Sequence, residues 1–233
     1  MIGETRAPVF VALDVPTPGE AVALARRLAP LRPRFKVGPF LFLRGGPELV
    51  RRLVGEGHEV FLDLKLHDIP AVVAGGVRGA AELGVGWLTL HAAGGAAMLR
   101  AAAEASAQAG GPRLLAVTVL TSLAAEDLPA IGVTRPLPEQ AEALARLAVA
   151  QGVHGVVCSA EEVSRLRAAL GPGPLLVCPG IRPAGAERQD QKRVATAAAA
   201  LAAGASLLVV GRPVTGAPDP EQALRSLLCE MGP

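Results

Sequence analysis

The stretch "EVFLDLKLHDIPAVVAGGVRGAAELGVGWLTLH", residues 59–91, holds one complete strand–helix–strand unit. A β-rich run from Glu59 gives way to a helical stretch over 71–83, and "GWLTLH" from Gly86 begins the next strand. Within the first run, alternation places Leu62, Leu64 and Leu66 on one face and Asp63, Lys65 and His67 on the other. Charges therefore share one surface of a strand that otherwise reads as buried. Such a face must be paired, solvated or engaged in chemistry.

The same unit recurs on both sides. Strands are expected from Pro8 ("PVFVALDV"), Arg34 ("RFKVG"), Glu59, Gly86, Arg113 ("RLLAVTV"), His154 ("HGVVCS"), Pro174 ("PLLVCPG") and Ala205 ("ASLLVVG"). Helices rich in Ala, Leu and Arg are expected over 18–29, 46–56, 71–83, 95–109, 139–151, 161–170, 192–203 and 219–230. Eight alternating units in 233 residues predict an α/β fold, a single-domain (β/α)8 TIM barrel over residues 1–233. A doubly wound open sheet alternates in the same way, but the count favours closure. No Gly-rich dinucleotide fingerprint follows the first strand, where "ALDVPTPGE" stands instead. The connection over 119–138 contains Pro and Gly and is expected to hold a short helix or a lid.

Composition excludes several function classes. With 51% hydrophobic and 19% charged residues, the chain can bury a sizeable core. A net charge of +2 without a basic block implies neither nucleic acid nor an anionic membrane surface, and 3% aromatics with no Tyr make a base-stacking platform a poor fit. The opening "MIGETRAPVFVALDV" lacks the pattern of a secretory leader, and no run approaches the roughly 20 apolar residues of a membrane span, so a cytoplasmic protein is expected. Cys158, Cys178 and Cys229 are scattered, without zinc-ligand spacing, and are expected to be buried and reduced. Of 23 Lys and Arg residues only Lys36, Lys65 and Lys192 are lysines, which points to a need for a compact, proton-donating ammonium where one is kept.

In a barrel the site lies at the carboxyl ends of the strands. Asp14, Lys36, Asp63 and Lys65 belong there on the first three strands, and His91 on the fourth. Thr118 and Thr121 follow the fifth strand, Arg182 the seventh and Arg212 the eighth. Singly these have plain structural readings: Asp14 and Lys36 as an ion pair across neighbouring strands, and His91 as a core histidine satisfied by a carbonyl; among the other histidines, His67 and His154 read as structural and His58, in "GEGHEV", as the start of a strand. The group Lys36, Asp63, Lys65 and Asp68 differs, because burying four charges merely as packing is costly. The segments "VCPGIRPAGAERQDQKR" (177–193) and "VVGRPVTGAPDP" (209–220) occupy the loops that bind phosphate in many barrels. Gly211 permits close backbone approach there, and Arg212 offers a bidentate fork.

"DLKLHDIP", taken with "ALDVP", "FKVG", "LHAAGG", "AVTVLTS", "PGIRPAGAERQDQ" and "VVGRPVT", resembles the orotidine 5'-phosphate decarboxylase family, in order from about residue 9 to 220. The resemblance implies decarboxylation of orotidine 5'-monophosphate to uridine 5'-monophosphate, the last step of de novo pyrimidine synthesis, with no metal and no organic cofactor. It implies a network of Lys36, Asp63 and Lys65 completed by Asp68 from the partner subunit of a homodimer. Lys65 would protonate C6 and Asp63 would face the substrate carboxylate. Asp14 and Lys36 would hold ribose hydroxyls, Thr121 would contact the pyrimidine, and Pro179 would lie against the base. Gln191 and Arg212 would bind phosphate with Arg182 nearby, and the loop after Pro179 would be a lid. Ala71 and Val72 stand where family members usually read Asn and Thr, so the threonine hydroxyl expected to reach the neighbouring subunit's ribose is absent.

The chemistry follows from elementary considerations. Loss of carbon dioxide leaves a localised sp² carbanion at C6, and an ammonium beside that carbon stabilises the charge and then donates its proton. Acidic neighbours suit an ammonium, whereas a Schiff-base lysine needs the opposite surroundings. Two alternatives stay open. Related barrels with a D-x-K-x-x-D core, including a hexulose-phosphate synthase and a ketogulonate-phosphate decarboxylase, act on sugar phosphates with magnesium, and are expected to lack "PGIRP" and Gln191. A catalytically silent nucleotide-binding barrel is the other, and Lys65 between two aspartates argues against it.

Overall fold

The computed structural model describes residues 6–182, 193 and 195–231. Eight short runs pair in parallel and in chain order, and the last returns to the first, so the sheet closes. The strands are β1 (Val9–Ala12), β2 (Arg34–Val37), β3 (Val60–Leu66), β4 (Trp87–His91), β5 (Arg113–Val117), β6 (Gly155–Val157), β7 (Leu175–Cys178) and β8 (Leu207–Val210). Closure rules out the open sheet and makes the architecture a single-domain (β/α)8 barrel.

Alternation along each strand divides the apolar side chains between two cores. Val9 and Val11 face the surrounding helices, while Phe10 and Ala12 face the barrel axis. The axis is filled: the Phe10 ring lies 4.8 Å from that of Phe61 and 5.3 Å from that of Trp87, with Leu115 and Val177 completing the cluster. Burying each such side chain contributes about 1.5–3 kcal/mol, and the barrel interior is here a packed core rather than a pore. At the junction of β6 and β7 the fit is tighter still. A Cβ on Gly155 would stand 2.3 Å from the Leu175 carbonyl oxygen, so only glycine lets these strands pair.

The helices are α1 (Pro18–Leu28), α2 (Pro39–Gly55), α3 (Pro70–Glu82), α4 (Gly95–Ala109), α5 (Leu137–Ala150), α6 (Val163–Leu170), α7 (Ala197–Ala202), α8 (Arg212–Thr215) and α9 (Pro220–Glu230). Four of them open on a proline, which costs nothing at a position whose N–H has no helical partner. Three expectations need correction. The helix expected over 46–56 begins at Pro39; the chain breaks helical geometry at Gly46 (φ 54°, ψ −162°) and resumes at Pro47, so "GGP" marks a kink rather than a start. The helix expected over 192–203 begins at Ala197, because Thr196 caps it by accepting the Ala199 N–H, while Ala195 bridges to Ile181 in extended form. Cys158 and Cys178 are buried as expected but Cys229 is exposed, since α9 turns Leu224 and Leu227 inward and Cys229 lies off that stripe. The 119–138 connection holds two short 3-10 turns, Ala125–Asp127 and Pro129–Ile131, seated on a small cluster of Val119, Leu128, Leu137 and Ala141.

Candidate active site

Three neighbouring strands deliver a row of alternating charge to one side of the barrel mouth. Asp14 follows β1, Lys36 points inward from β2, and Asp63 and Lys65 point inward from β3. The Lys36 Nζ lies 3.7 Å from Asp14 Oδ2 and 3.3 Å from Asp63 Oδ2, and the Lys65 Nζ donates to Asp63 Oδ1 at 2.9 Å. Gly38 leaves room for the first of these pairs, because a Cβ there would stand 3.1 Å from Lys36 Nζ and 3.3 Å from Asp14 Oδ1. Lys36 and Asp63 are each only 8% exposed, and ions so buried persist only when paired. Burial is the largest influence on the Asp63 carboxyl and pushes it up, but the charges of Lys36 and Lys65 and hydrogen bonds from Lys65 and Thr89 together hold it below the usual aspartate range.

β3 is not a regular strand where it carries this chemistry. Leu62 pairs with Leu88 and Leu66 with Leu90, so the register against β4 shifts between them. Lys65 sits in that bulge with φ 52°, a left-handed conformation that costs a non-glycine residue about 1–3 kcal/mol. Its N–H donates to Thr89 Oγ1 at 2.9 Å instead of to a ladder carbonyl. Bulges of this kind re-aim side chains. The expected face-sharing of Asp63 and Lys65 is realised; His67 lies just beyond the strand, exposed, and its ring approaches that of His91 at 5.4 Å.

Other loops close the opposite side. Thr121 comes from beyond β5, Pro179 and Arg182 from beyond β7, and Gly211 and Arg212 from beyond β8. With Asp14, Lys36, Asp63 and Lys65 they line one cavity of about 510 Å³, a size that suits a small organic ligand. Two expected rim residues do not line it. Thr118 turns its hydroxyl to the Val157 carbonyl at 3.1 Å. His91 is half-buried beside His67, and burial, the His67 ring and the Lys65 charge push its imidazole down against the pull of Asp63. His154 is structural, its Nδ1 accepting the Leu114 N–H. Asp68 is exposed and outside the cavity of its own chain, accepting the Ile69 N–H at 2.7 Å. Gln191 and most of the expected lid after Pro179 lie outside the described residues.

The model of the orotidine 5'-phosphate decarboxylase / HUMPS family matches residues 7–227. The chain belongs to that family. A protein of Anaeromyxobacter dehalogenans named orotidine 5'-phosphate decarboxylase is 53% identical over 219 residues, 94% of this chain and 96% of its own. One of the same name from Halorhodospira halophila is 54% identical over 224 residues, 96% of this chain and 95% of its own. The crystal structure of orotidine 5'-phosphate decarboxylase from Lactobacillus acidophilus superposes with a TM-score of 0.87 at 37% identity, covering 97% of this chain and all of that one.

In this member of the orotidine 5'-phosphate decarboxylase / HUMPS family, the sequence reading missed two polar residues near the site. Thr89 was readable as a lone hydroxyl in phase with inward-facing Trp87 in "WLTLH". Arg193 gave no such signal. It is buried, pairs closely with Glu162, and donates to the carbonyls of Val119 at 3.3 Å and Leu120 at 3.1 Å, joining the end of the loop after β7 to the loop after β5.

Proposed function

We propose that this chain decarboxylates orotidine 5'-monophosphate to uridine 5'-monophosphate and carbon dioxide, the last step of de novo pyrimidine synthesis. The observation that carries the reading is the row Asp14–Lys36–Asp63–Lys65 facing the same cavity as Arg212. That arrangement supports a substrate with an acidic handle at one end and developing carbanion charge at the other. Relatives about 53% identical carry the name of this activity.

In the proposed mechanism the phosphate is held by Arg212, with the backbone at Gly211 and with Arg182 and Gln191 nearby. Asp14 and Lys36 bind ribose hydroxyls, Pro179 lies against the base, and Thr121 contacts the pyrimidine. The bond between C6 and the carboxylate breaks heterolytically, its electron pair stays on C6, and neutral carbon dioxide leaves. The Lys65 ammonium stabilises that pair as it develops and then protonates C6, becoming a neutral amine. Asp63 faces the departing carboxylate. Two unit charges ~4 Å apart repel by about 4 kcal/mol at an effective dielectric near 20, and neutral carbon dioxide relieves that repulsion as it forms. Phosphate contacts far from C6 supply binding free energy that positions the ring. No metal or organic cofactor takes part in any of these steps.

The active form in this reading is a homodimer in which Asp68 of the second subunit flanks Lys65. Its support is that Asp68 is exposed and does not line its own cavity, that Ile69 and Val72, close to it in the chain, are exposed apolar residues, and that Phe40 and Leu43 of α2 are exposed too, Leu43 by 84%. The reaction belongs in the cytoplasm with the rest of the pathway. The decisive experiment is purified protein with orotidine 5'-monophosphate, following the pyrimidine absorbance with and without a chelator. Consumption unaffected by the chelator is expected. No consumption would leave a silent nucleotide binder, and consumption abolished by chelation would favour the magnesium-dependent sugar-phosphate branch.

A further inference from the structure

Thr89 sits mid-strand in β4, fully buried, and its hydroxyl is spent entirely on β3. The oxygen accepts the Lys65 N–H at 2.9 Å, and the hydroxyl proton goes to Asp63 Oδ1 at 2.8 Å. The Lys65 amide can only donate and the ionised carboxylate can only accept, so the hydroxyl takes the first bond on a lone pair and gives its single proton to the second. The shift of register between Leu62 and Leu66 is what calls for this arrangement: it takes the Lys65 amide out of the ladder, and a buried N–H needs an acceptor. Valine, the near-isosteric residue common in strands, would strip the amide of this acceptor and leave Asp63 Oδ1 with the Lys65 ammonium but without the hydroxyl.

We propose that Thr89 is a positioning residue for the decarboxylation: its hydroxyl fixes the left-handed turn that aims the Lys65 ammonium, and orients the Asp63 carboxylate beside it. The inference rests on the reading of Lys65 as the proton donor. Thr89 acts through these two side chains and does not itself line the cavity. The charged and titratable groups facing Asp63 are Lys36 from β2, Lys65 from β3 and His91 from the end of β4, with Asp14 beyond Lys36 after β1. Of the contacts that favour the charged Asp63 carboxylate, the Thr89 hydroxyl is the uncharged one.

The test compares Thr89→Val, which removes the hydroxyl, with Thr89→Ser, which keeps it. Loss of aim at the reacting atoms is expected to lower kcat on the order of 10²-fold in Thr89→Val, with KM little changed. Losing a hydrogen bond to the charged form raises the Asp63 pKa, so the acid limb of the kcat/KM profile should move to higher pH; substrate groups titrate alike in every variant and cancel. Thr89→Ser should restore both kcat and the acid limb. Thermal unfolding is recorded alongside, and if Thr89→Val does not fold, Thr89→Cys serves in its place, its thiol being a weak donor and acceptor. A purely structural hydroxyl would lower the melting temperature and leave kcat and the acid limb in place, and that result overturns the proposal. Lys65→Ala is assayed in parallel. If it retains turnover, the proton-donor reading falls and takes this inference with it; if it is inactive while the hydroxyl-free variant is fully active, only the role of Thr89 falls.

Discussion

Lys65 combines a polar burden with a conformational one. Its ammonium contacts a buried carboxylate, and its backbone occupies a region that β-strand residues avoid. Strain of this kind persists where surrounding contacts over-determine it, and here the Thr89 and Asp63 contacts do so. Lys65→Ala is expected to lower turnover by at least about 10²–10⁴-fold, the usual contribution of a general acid, while binding of uridine 5'-monophosphate measured by calorimetry survives. Undiminished turnover would end its assignment. Arg212→Ala is expected to weaken the nucleotide by about 10–100-fold, the worth of a charged hydrogen bond, and to leave uridine nearly unchanged; equal losses for both would remove its phosphate role. Gly211 carries less than the sequence reading gave it, since a Cβ there would meet only Ala12 Cβ, at an ordinary 3.6 Å. Any demand for glycine at that position comes from the ligand.

Elements are held at the correct ends by arginines. Arg167 on α6 donates to the carbonyls of Gly171, Pro174 and Gly204 and to Ser206 Oγ, stapling the segments that lead into β7 and β8. Five donors in a fixed fork do what a lysine cannot, and this use of guanidinium accords with a chain that keeps three lysines among 23 basic residues. The Arg193–Glu162 pair does similar work at the mouth. Burial pushes the Glu162 carboxyl up while Arg193 and the Ser159 N–H pull it down, so removing the guanidinium would strand a buried acid. Arg193→Ala should destabilise the protein to urea by about 3–5 kcal/mol, and adding Glu162→Gln should recover part of that loss. If Arg193→Ala unfolds at the parental midpoint, the bridge is ornamental. Gly155→Ala should be worse tolerated than Ala substitution at Gly173, which meets nothing within 4 Å; equal expression and melting temperature would contradict the close approach of β6 to β7.

For the whole molecule, the proposed dimer decides whether each site is complete. Every site would combine Lys65 of one chain with Asp68 of the other, so two inactive variants can complement. Mixing Lys65→Ala with Asp68→Ala and allowing subunits to exchange should restore about a quarter of the parental activity, because half of the dimers are hybrid and one of their two isologous sites is intact. No recovery after exchange, verified by mass spectrometry of the hybrid, would place Asp68 outside the chemistry. The exposed Leu43 and Ile69 give a parallel check: changing both to Glu should shift the protein to a monomer in sedimentation and reduce turnover together.

Sequence alone determined the eight alternating units, the count that favours closure and the shared face of Asp63 and Lys65, because period-2 alternation and helical periodicity are properties of contiguous residues. It also placed Asp14, Lys36, Arg182 and Arg212 at one end, through the rule that barrel sites lie at strand carboxyl ends. It could not separate His91, which turns to His67, from Thr89 two residues earlier, which serves β3; both are polar and in phase on one strand. Only the tertiary structure decided that distinction, together with the bulge, the left-handed Lys65 and the buried Arg193–Glu162 bridge. Each depends on the register between segments far apart in the chain, and register is set by side chains meeting across the barrel rather than by any local pattern.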